Sequence, residues 1–475
     1  VSQVAILGSA ALFGIVCLYT LPTVLGLLVG LGALMIAGGS IALPIAGRSA
    51  ADWTPVVARW FLRSWRHGEG FRSTAPAAGI RIDAQEAYEK SLPPELSDLD
   101  LLAFPYGGED VGVIRDGSEG AYTAALAVRA GSFALRDSSE QVRILEQWGG
   151  VLASCSREGS PLRRLQWIER TPPGEGDALA SYLQEKRDRT VPVESTAVSS
   201  YIELLEAAAP VTQEHEVLIA LQIDTRRAGR ELKRFGGGDE GAARLLLREA
   251  ENLAKRLTSA EISVFGLLRP RQYAEVIKDA FDPFGHQGRR RASIGEPERE
   301  GVDPLLMGPQ AERATWATYR TDSAFHRTYW VCAWPRSEVG ATFLAPLLMQ
   351  SAAVRTVSVT IEPVPYSRAM RNAEMATTAN LADEVERERQ GFITTARDRR
   401  QQQAIASREA ELAEGFAEVR VAPFITVSAE DDEALEQTSG NVEHGAQLAR
   451  LELQPMYGEQ DAGFANTLPI CRGLR

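Results

Sequence analysis

Residues 4–46 read VAILGSAALFGIVCLYTLPTVLGLLVGLGALMIAGGSIALPIA, a stretch without Asp, Glu, Lys or Arg; the first charge of the chain is Arg48. A helix needs about 20 apolar residues to cross a hydrocarbon core of about 30 Å, so this run has the length of two. Pro22 lacks an N–H and clashes with a continuing helix. That places a break at Thr20-Leu21-Pro22 and predicts helices over roughly 4–19 and 24–45. A secretory leader would follow a basic start and end after an apolar core of about 7–15 residues, whereas this run is far longer and has no basic residue before it. Gly26 and Gly30 stand at GxxxG spacing, but small residues are so common in such segments that they single out no dimer. The expectation is a transmembrane helical hairpin over residues 1–46.

Residues 47–72 carry Arg48, Arg59, Arg63, Arg66 and Arg72 against Asp52 and Glu69. Basic flanks stay on the cytoplasmic side, and a hairpin returns both ends to one side. The location implied is the cytoplasmic (inner) membrane, multi-pass, with the C-terminal domain in the cytoplasm. Trp53, Val56, Val57, Trp60 and Phe61 recur at i, i+3, i+4, i+7 and i+8, while Arg59, Arg63 and Arg66 lie on another face. This describes an amphipathic juxtamembrane helix at the bilayer surface, with rings at headgroup depth; the alternative is a helix packed on the following domain. Trp53, Arg59, Trp60 and Arg63 are the candidate membrane-interface residues.

The rest of the chain is ordinary globular sequence. A composition of 44% hydrophobic and 24% charged residues excludes a mostly disordered chain. The net charge of -12 argues against a wholly basic nucleic-acid binder. Cys17, Cys155, Cys332 and Cys471 form no CxxC pair, so neither a disulfide framework nor a zinc ribbon is written here. Residues 73–98 are rich in Ala and Pro and read as a linker. An α/β cytoplasmic domain follows over 99–310, with strands predicted over 111–115, 122–129, 164–170 and 216–223. Its helices are predicted over 139–157, 178–186, 195–209, 240–260 and 271–281. Val142, Leu145, Trp148 and Leu152 are spaced for burial on the first of these, and Leu246, Ala250, Leu253 and Leu257 on the fourth. A second α/β unit over 311–475 has strands over 327–334, 355–363 and 419–427 and helices over 340–350 and 432–448. It also has a long helical hairpin at 367–415, seamed by Leu381, Val385 and Phe392, with its tip near 398–403. The fold class expected is α+β: a two-helix transmembrane hairpin, then mixed α/β cytoplasmic domains with a protruding helical hairpin.

Catalytic signatures are missing where an enzyme would carry them. There is no G-x-x-x-x-G-K-[ST] loop to cradle a nucleotide phosphate, no G-x-S-x-G elbow and no H-E-x-x-H. His67, His215, His286, His326 and His444 are far apart, and each reads as a surface or hydrogen-bonded structural residue rather than a metal ligand. Glu430-Asp431-Asp432-Glu433 suits a helix N-terminus, where carboxylates favour the macrodipole. Arg289-Arg290-Arg291 reads as a solvated loop, and Trp316, Tyr319, Tyr329, Trp330 and Trp334 as core and strand residues. The expectation is a protein that is not an enzyme, with no cofactor.

Two blocks carry a family resemblance. Residues 47–60, GRSAADWTPVVARW, together with 122–129, 165–170 and 329–336, resemble actinobacterial membrane proteins related to the PrgI family. These are encoded in conjugation-like type IV secretion clusters beside an ATPase. The tail, LQPMYGEQDAGFANTLP over 453–469, looks like the segment that closes the N-terminal domain of VirB-type secretion ATPases, but this chain stops where those continue into a P-loop domain. The resemblance implies an inner-membrane structural component of a type IV secretion or conjugation-like apparatus, anchoring a separate motor. Its partners would be the lipid bilayer, a secretion-type P-loop ATPase in trans and other channel subunits, with self-association left open. Arg387, Arg397, Tyr457, Gln460 and Phe464 are the candidate docking residues. The rival expectations are an EccE-like membrane component of type VII secretion and a membrane-anchored enzyme with an unidentified site.

Overall fold

The computed structural model describes residues 12, 15–17, 29–32, 44–45, 48–66, 70–73, 92–129, 131, 133–172, 195–196, 198–202, 215–285, 301–335, 337–349, 353–389 and 396–474. Its elements begin with a two-residue ladder of β1 (Pro44–Ile45) and β2 (Arg48–Ser49), then α1 (Ala50–Arg66) and β3 (Phe71–Arg72). A first series follows: β4 (Leu99–Tyr106), β5 (Glu109–Asp116), β6 (Ala121–Arg129), α2 (Ser138–Cys155), β7 (Leu162–Thr171), β8 (Glu216–Asp224), α3 (Gly229–Arg234), α4 (Gly238–Ser259), β9 (Ser263–Leu267) and α5 (Pro270–Phe281). A second series comprises β10 (Ala311–Ala314), β11 (Tyr319–Thr321), β12 (Ala324–Ala333), α6 (Ala345–Leu348), β13 (Val354–Pro363), α7 (Tyr366–Arg389), α8 (Ala396–Ala413), β14 (Val419–Ala429), α9 (Asp432–Leu448), β15 (Glu452–Pro455) and α10 (Gln460–Ala465).

The architecture is a mixed α/β domain around an open sheet, which corrects the expected α+β assembly headed by a transmembrane hairpin. Among the described residues no helix is long and apolar enough to cross a membrane. Within 4–46 the described residues are Leu12, Ile15–Cys17, Val29–Gly32 and Pro44–Ile45, and the rest of the expected hairpin lies outside them. Pro44 and Ile45 are extended and pair with Ser49 and Arg48, where the second helix was expected to end. A charge-free run fixes hydrophobicity but not conformation, and Pro44 cannot donate the backbone bond a continuing helix needs. The multi-pass inner-membrane location rested on those helices and is corrected with them.

Among the described residues thirteen strands form one sheet in the order β3-β10-β11-β12-β14-β13-β7-β8-β6-β5-β4, with β15 added on β12 and β9 on β6. All of its pairings are antiparallel. The order contains a duplication. In the first series β7-β8-β6-β5-β4 run outward with β9 on β6; in the second β13-β14-β12-β11-β10 run outward with β15 on β12. The two halves meet at β7 and β13, each 10 residues long. Trp167, sixth in β7, directly faces Val359, sixth in β13, so equivalent positions pair with each other across a local two-fold axis. The helices before β9 and β15 also end alike. Glu261 (φ 62°) and Arg450 (φ 56°) are left-handed non-glycine residues. Ile262 N–H reaches Leu257 O at 3.0 Å, and Leu451 N–H reaches Ala446 O at 2.8 Å, the 6→1 bond of a Schellman cap.

The two faces of the sheet are covered differently. One face buries Leu165, Ile219, Leu221, Leu246, Leu253 and their neighbours beneath α2 and α4, and Tyr329, Val357, Ile425, Leu435 and Val442 beneath α6 and α9. Helix α2 meets the expected face in part: Trp148 and Leu152 pack on the core beside the buried Val151 and Cys155, whereas Val142 and Leu145, nearer its N-terminus, are about half exposed. The opposite face holds α5, α10 and the tail over a core of Leu99, Ile114, Leu218, Tyr273, Phe281, Phe464 and Leu468. Arm helices α7 and α8 join through Val364, Ala369, Ala373 and Leu412. The tip expected at 398–403 is helical, and residues 390–395 lie outside the described residues.

Candidate functional site

The candidate residues of the juxtamembrane helix and of the tail come together at one end of the sheet. Trp53 and Val56, one turn apart on α1, are buried against the domain. Trp53 lies 5.7 Å from the ring of Trp316 and 6.3 Å from Tyr457, and Trp60 meets Trp316 edge-on at 5.3 Å. Trp316 and Tyr457 are stacked with 4° between their planes. Arg59 Nη2 closes the contact on Glu459 Oε1 at 3.0 Å. The clasp is tight at its base. Gly458 adopts φ +73° and donates its N–H to Trp316 O at 2.8 Å, and a Cβ there would stand 2.7 Å from the Trp316 ring. Of the face expected to carry rings into headgroups, Trp53, Val56 and Trp60 are thus turned onto protein. Val57, Phe61 and Leu62 are large apolar residues of α1 that stay exposed, and the side chain of Arg63 lies outside the described residues.

Beyond Tyr457 the tail is interior. Gln460 is fully buried, with its Oε1 accepting the Thr328 N–H at 2.7 Å. Phe464 packs between Phe281, Tyr319 and His326 at ring distances of 5.0, 5.2 and 4.8 Å. The following residues cross the centre of the sheet, where the strands present polar side chains. Gln166 donates to Asn466 O and Leu468 O and accepts from Cys471 N. Arg164 donates to Cys471 O and Leu474 O, Thr360 to Arg472 O, and Gln222 to Ile470 O. Buried polar groups need such partners, and here the backbone of the tail supplies them. Arg472 ends the strap on Asp116 Oδ2 at 2.7 Å. Arg387 and Arg397 belong to α7 and α8, but their side chains lie outside the described residues. The structure therefore places Tyr457 in the clasp and Gln460 and Phe464 in the core.

The remaining titratable candidates are structural in geometry. His326 is enclosed, bonded to Thr321 Oγ1 and Ser428 Oγ at 2.8 Å each, and burial pushes its imidazole down to about 3. His215 Nδ1 stands 2.5 Å from Glu169 Oε1. Asp431 caps α9 by accepting the Ala434 N–H, with Asp432 and Glu433 in the first turn. Among the described residues no group of three or more His, Cys, Asp or Glu could hold a metal ion. Arg289–Arg291, His67 and His286 lie outside the described residues. Sequence reasoning missed Glu459 and Gly458, and it assigned Trp316 to a strand core rather than to the contact with α1. The G in Tyr457-Gly458-Glu459 was the one available signal of a left-handed turn.

The family whose description reads type VII ESX secretion system translocon, EccE, matches residues 211–331, about a quarter of the chain. No curated protein matches. This corrects the type IV reading: the matched family is neither the PrgI-related one nor the VirB-type ATPases, and nothing else supports a bilayer or a docked ATPase as partners. The blocks that suggested them are local patterns. Residues 47–60 form most of an amphipathic helix that closes a clasp, 122–129, 165–170 and 329–336 fall largely in strands of the sheet, and 453–469 form a tail held by the core.

Proposed function

We propose that the chain is a non-catalytic structural subunit of a type VII-like secretion translocon, similar to EccE. The observation that carries this is where the family match falls. It runs from just before β8 to the end of β12, a contiguous piece of the fold, and contributes Leu218, Tyr273, Ile277, Phe281 and Tyr319 to one core. A likeness of that kind follows a buried pattern rather than a biased composition. The chemistry of the site supports a scaffold: its buried polar side chains are committed to the tail backbone, and its aromatic residues to holding α1.

The test is in-cell cross-linking of the full-length chain in its native host, followed by purification and mass spectrometry. Type VII subunits or WXG-type substrates linked to residues 211–331 are the expected result. Recovery of conjugation-type proteins alone, or of no secretion protein, sinks the proposal. Turnover of nucleotide by the purified chain would overturn its non-catalytic half.

A further inference from the structure

A cleft of about 380 Å³ opens where the helical arm leaves the sheet, between the α2–β7 connection, the end of β13, the first turns of α7 and the start of β14. Its charged lining is Arg157, Arg227, Arg368 and Arg420 against Glu362 and Glu418, a basic hollow in a chain of net charge -12. The two carboxylates are already engaged. Glu362 receives Arg227 at 3.0 Å and Arg420 at 3.8 Å, and Glu418 receives Arg408 at 2.6 Å. Glu158, next to Arg157, accepts the Ser367 N–H at the start of α7. Among the described residues no carboxylate pairs with Arg157 or Arg368.

The duplication sharpens the point. The ion pair equivalent to Glu362–Arg420 is Arg170–Glu216, at 3.5 Å with the charges exchanged. At that end of the sheet the neighbouring guanidinium, Arg355, is buried and stands 3.6 Å from Glu169 Oε1. At one end of the two-fold the neighbouring guanidinium thus lies beside a buried carboxylate, and at the other the guanidinium groups are in excess of the carboxylates.

We propose that this cleft binds a phosphate monoester. Arginine presents a planar fork of donors and no acceptor, so the hollow selects an acceptor-only dianion and disfavours neutral or cationic ligands. The volume exceeds that of bare phosphate and lies in the range of small-ligand sites, leaving room for the esterified group. That group is either a free nucleotide-sized molecule or a phosphorylated side chain.

Titration calorimetry on the full chain at low salt tests this with three probes: inorganic phosphate, a nucleoside 5′-monophosphate and a phosphoserine peptide. Single-site, saturable binding is expected, weakened about tenfold or more in the double variant Arg157→Gln/Arg368→Gln. It should be unchanged in Arg244→Gln, an exposed arginine on α4 paired with Glu240. Both cleft arginines are exposed, and circular dichroism with thermal melting establishes that the double variant is folded. Tighter binding of the nucleotide than of the peptide assigns the source as a small molecule, and the reverse assigns a phosphorylated protein. No saturation by any probe up to about 10 mM, or equal affinity in the double variant, overturns the site.

Discussion

His326 shows how far a single side chain can bias the stability of this fold. It is fully buried among Thr321, Ser428, Tyr319 and Phe464, with Asp282 the charged group acting on it. Burial lowers its pKa from 6.5 to about 3. Below the ordinary value the unfolded chain takes up a proton that the folded chain refuses, so stability falls as pH drops from about 6.5 toward 3, by about 1.4 kcal/mol per pH unit. Asp116 works in the same direction at lower pH. Burial alone would raise its pKa, but the Ser118 hydroxyl and the Arg472 guanidinium outweigh that and hold it below the usual value. A depressed carboxylate gives stability that is complete above its ordinary value and is lost as pH falls through the folded one. Urea melts between pH 7 and about pH 4.5 should therefore lose midpoint steadily. His326→Gln should start lower at pH 7 and show a flatter dependence; equal slopes in the two proteins would remove His326 as the source.

At the scale of elements, the ring contacts of Trp53 and Trp60 hold α1 together with buried Val56 and the Arg59–Glu459 pair. Aromatic pairs contribute about 0.5–1.5 kcal/mol each beyond area, and Trp316 is shared by Trp53, Trp60 and Tyr457. Trp316→Ala should release α1 while leaving the sheet intact. Amide exchange of residues 53–62 should accelerate tenfold or more, equivalent to about 1.4 kcal/mol, with β7, β8 and β13 protection unchanged. Uniform acceleration throughout would mean that α1 and the sheet are one cooperative unit. The same contrast explains what could be read from sequence. The runs 216–223 and 355–363 became β8 and β13 with shifts of one residue, because both strands lie inside the sheet and are buried over most of their length. The strands missed in the sheet were short or at edges: β3 and β4 at its two ends, β9 with Gly266 at φ 141°, and β10, β11 and β15; β9 pairs with β6, β11 and β15 with β12, and β10 with β11 and β3. Apolar spacing on α2 held for Trp148 and Leu152, which pack on the core, and failed for Val142 and Leu145, which are about half exposed. Spacing identifies a helix face but not what covers it. The clasp was illegible for a related reason: Trp316 and Tyr457 approach α1 from distant parts of the chain.

At the scale of the whole molecule, the duplication was hidden because its halves share positions rather than residues. LRRLQWIERT in β7 and VRTVSVTIEP in β13 agree in register at Arg163 and Arg355 alone, yet they pair across the local axis at every step from Leu165–Ile361 to Thr171–Arg355. A duplicated fold could in principle come apart into two stable units, and three features here oppose that. The β7–β13 ladder joins the halves in the middle of the sheet, so separating them would expose two long strand edges. The core beneath α5 mixes Leu99, Ile114, Leu218 and Tyr273 from one half with Tyr319, Phe464, Leu468 and Ile470 from the other. The tail of the second half also satisfies Arg164, Gln166 and Gln222 of the first, which would otherwise lose their buried partners, at about 1–3 kcal/mol each. Residues 92–285 expressed alone should therefore show no cooperative thermal transition, and the same holds for residues 301–475. Co-expression of the two should give a soluble 1:1 complex that melts as one unit and separates only in denaturant. A cooperative melt from residues 92–285 alone would show that the first half is self-sufficient, and would demote the shared core and the tail strap from requirements of the fold to late additions on one of its faces.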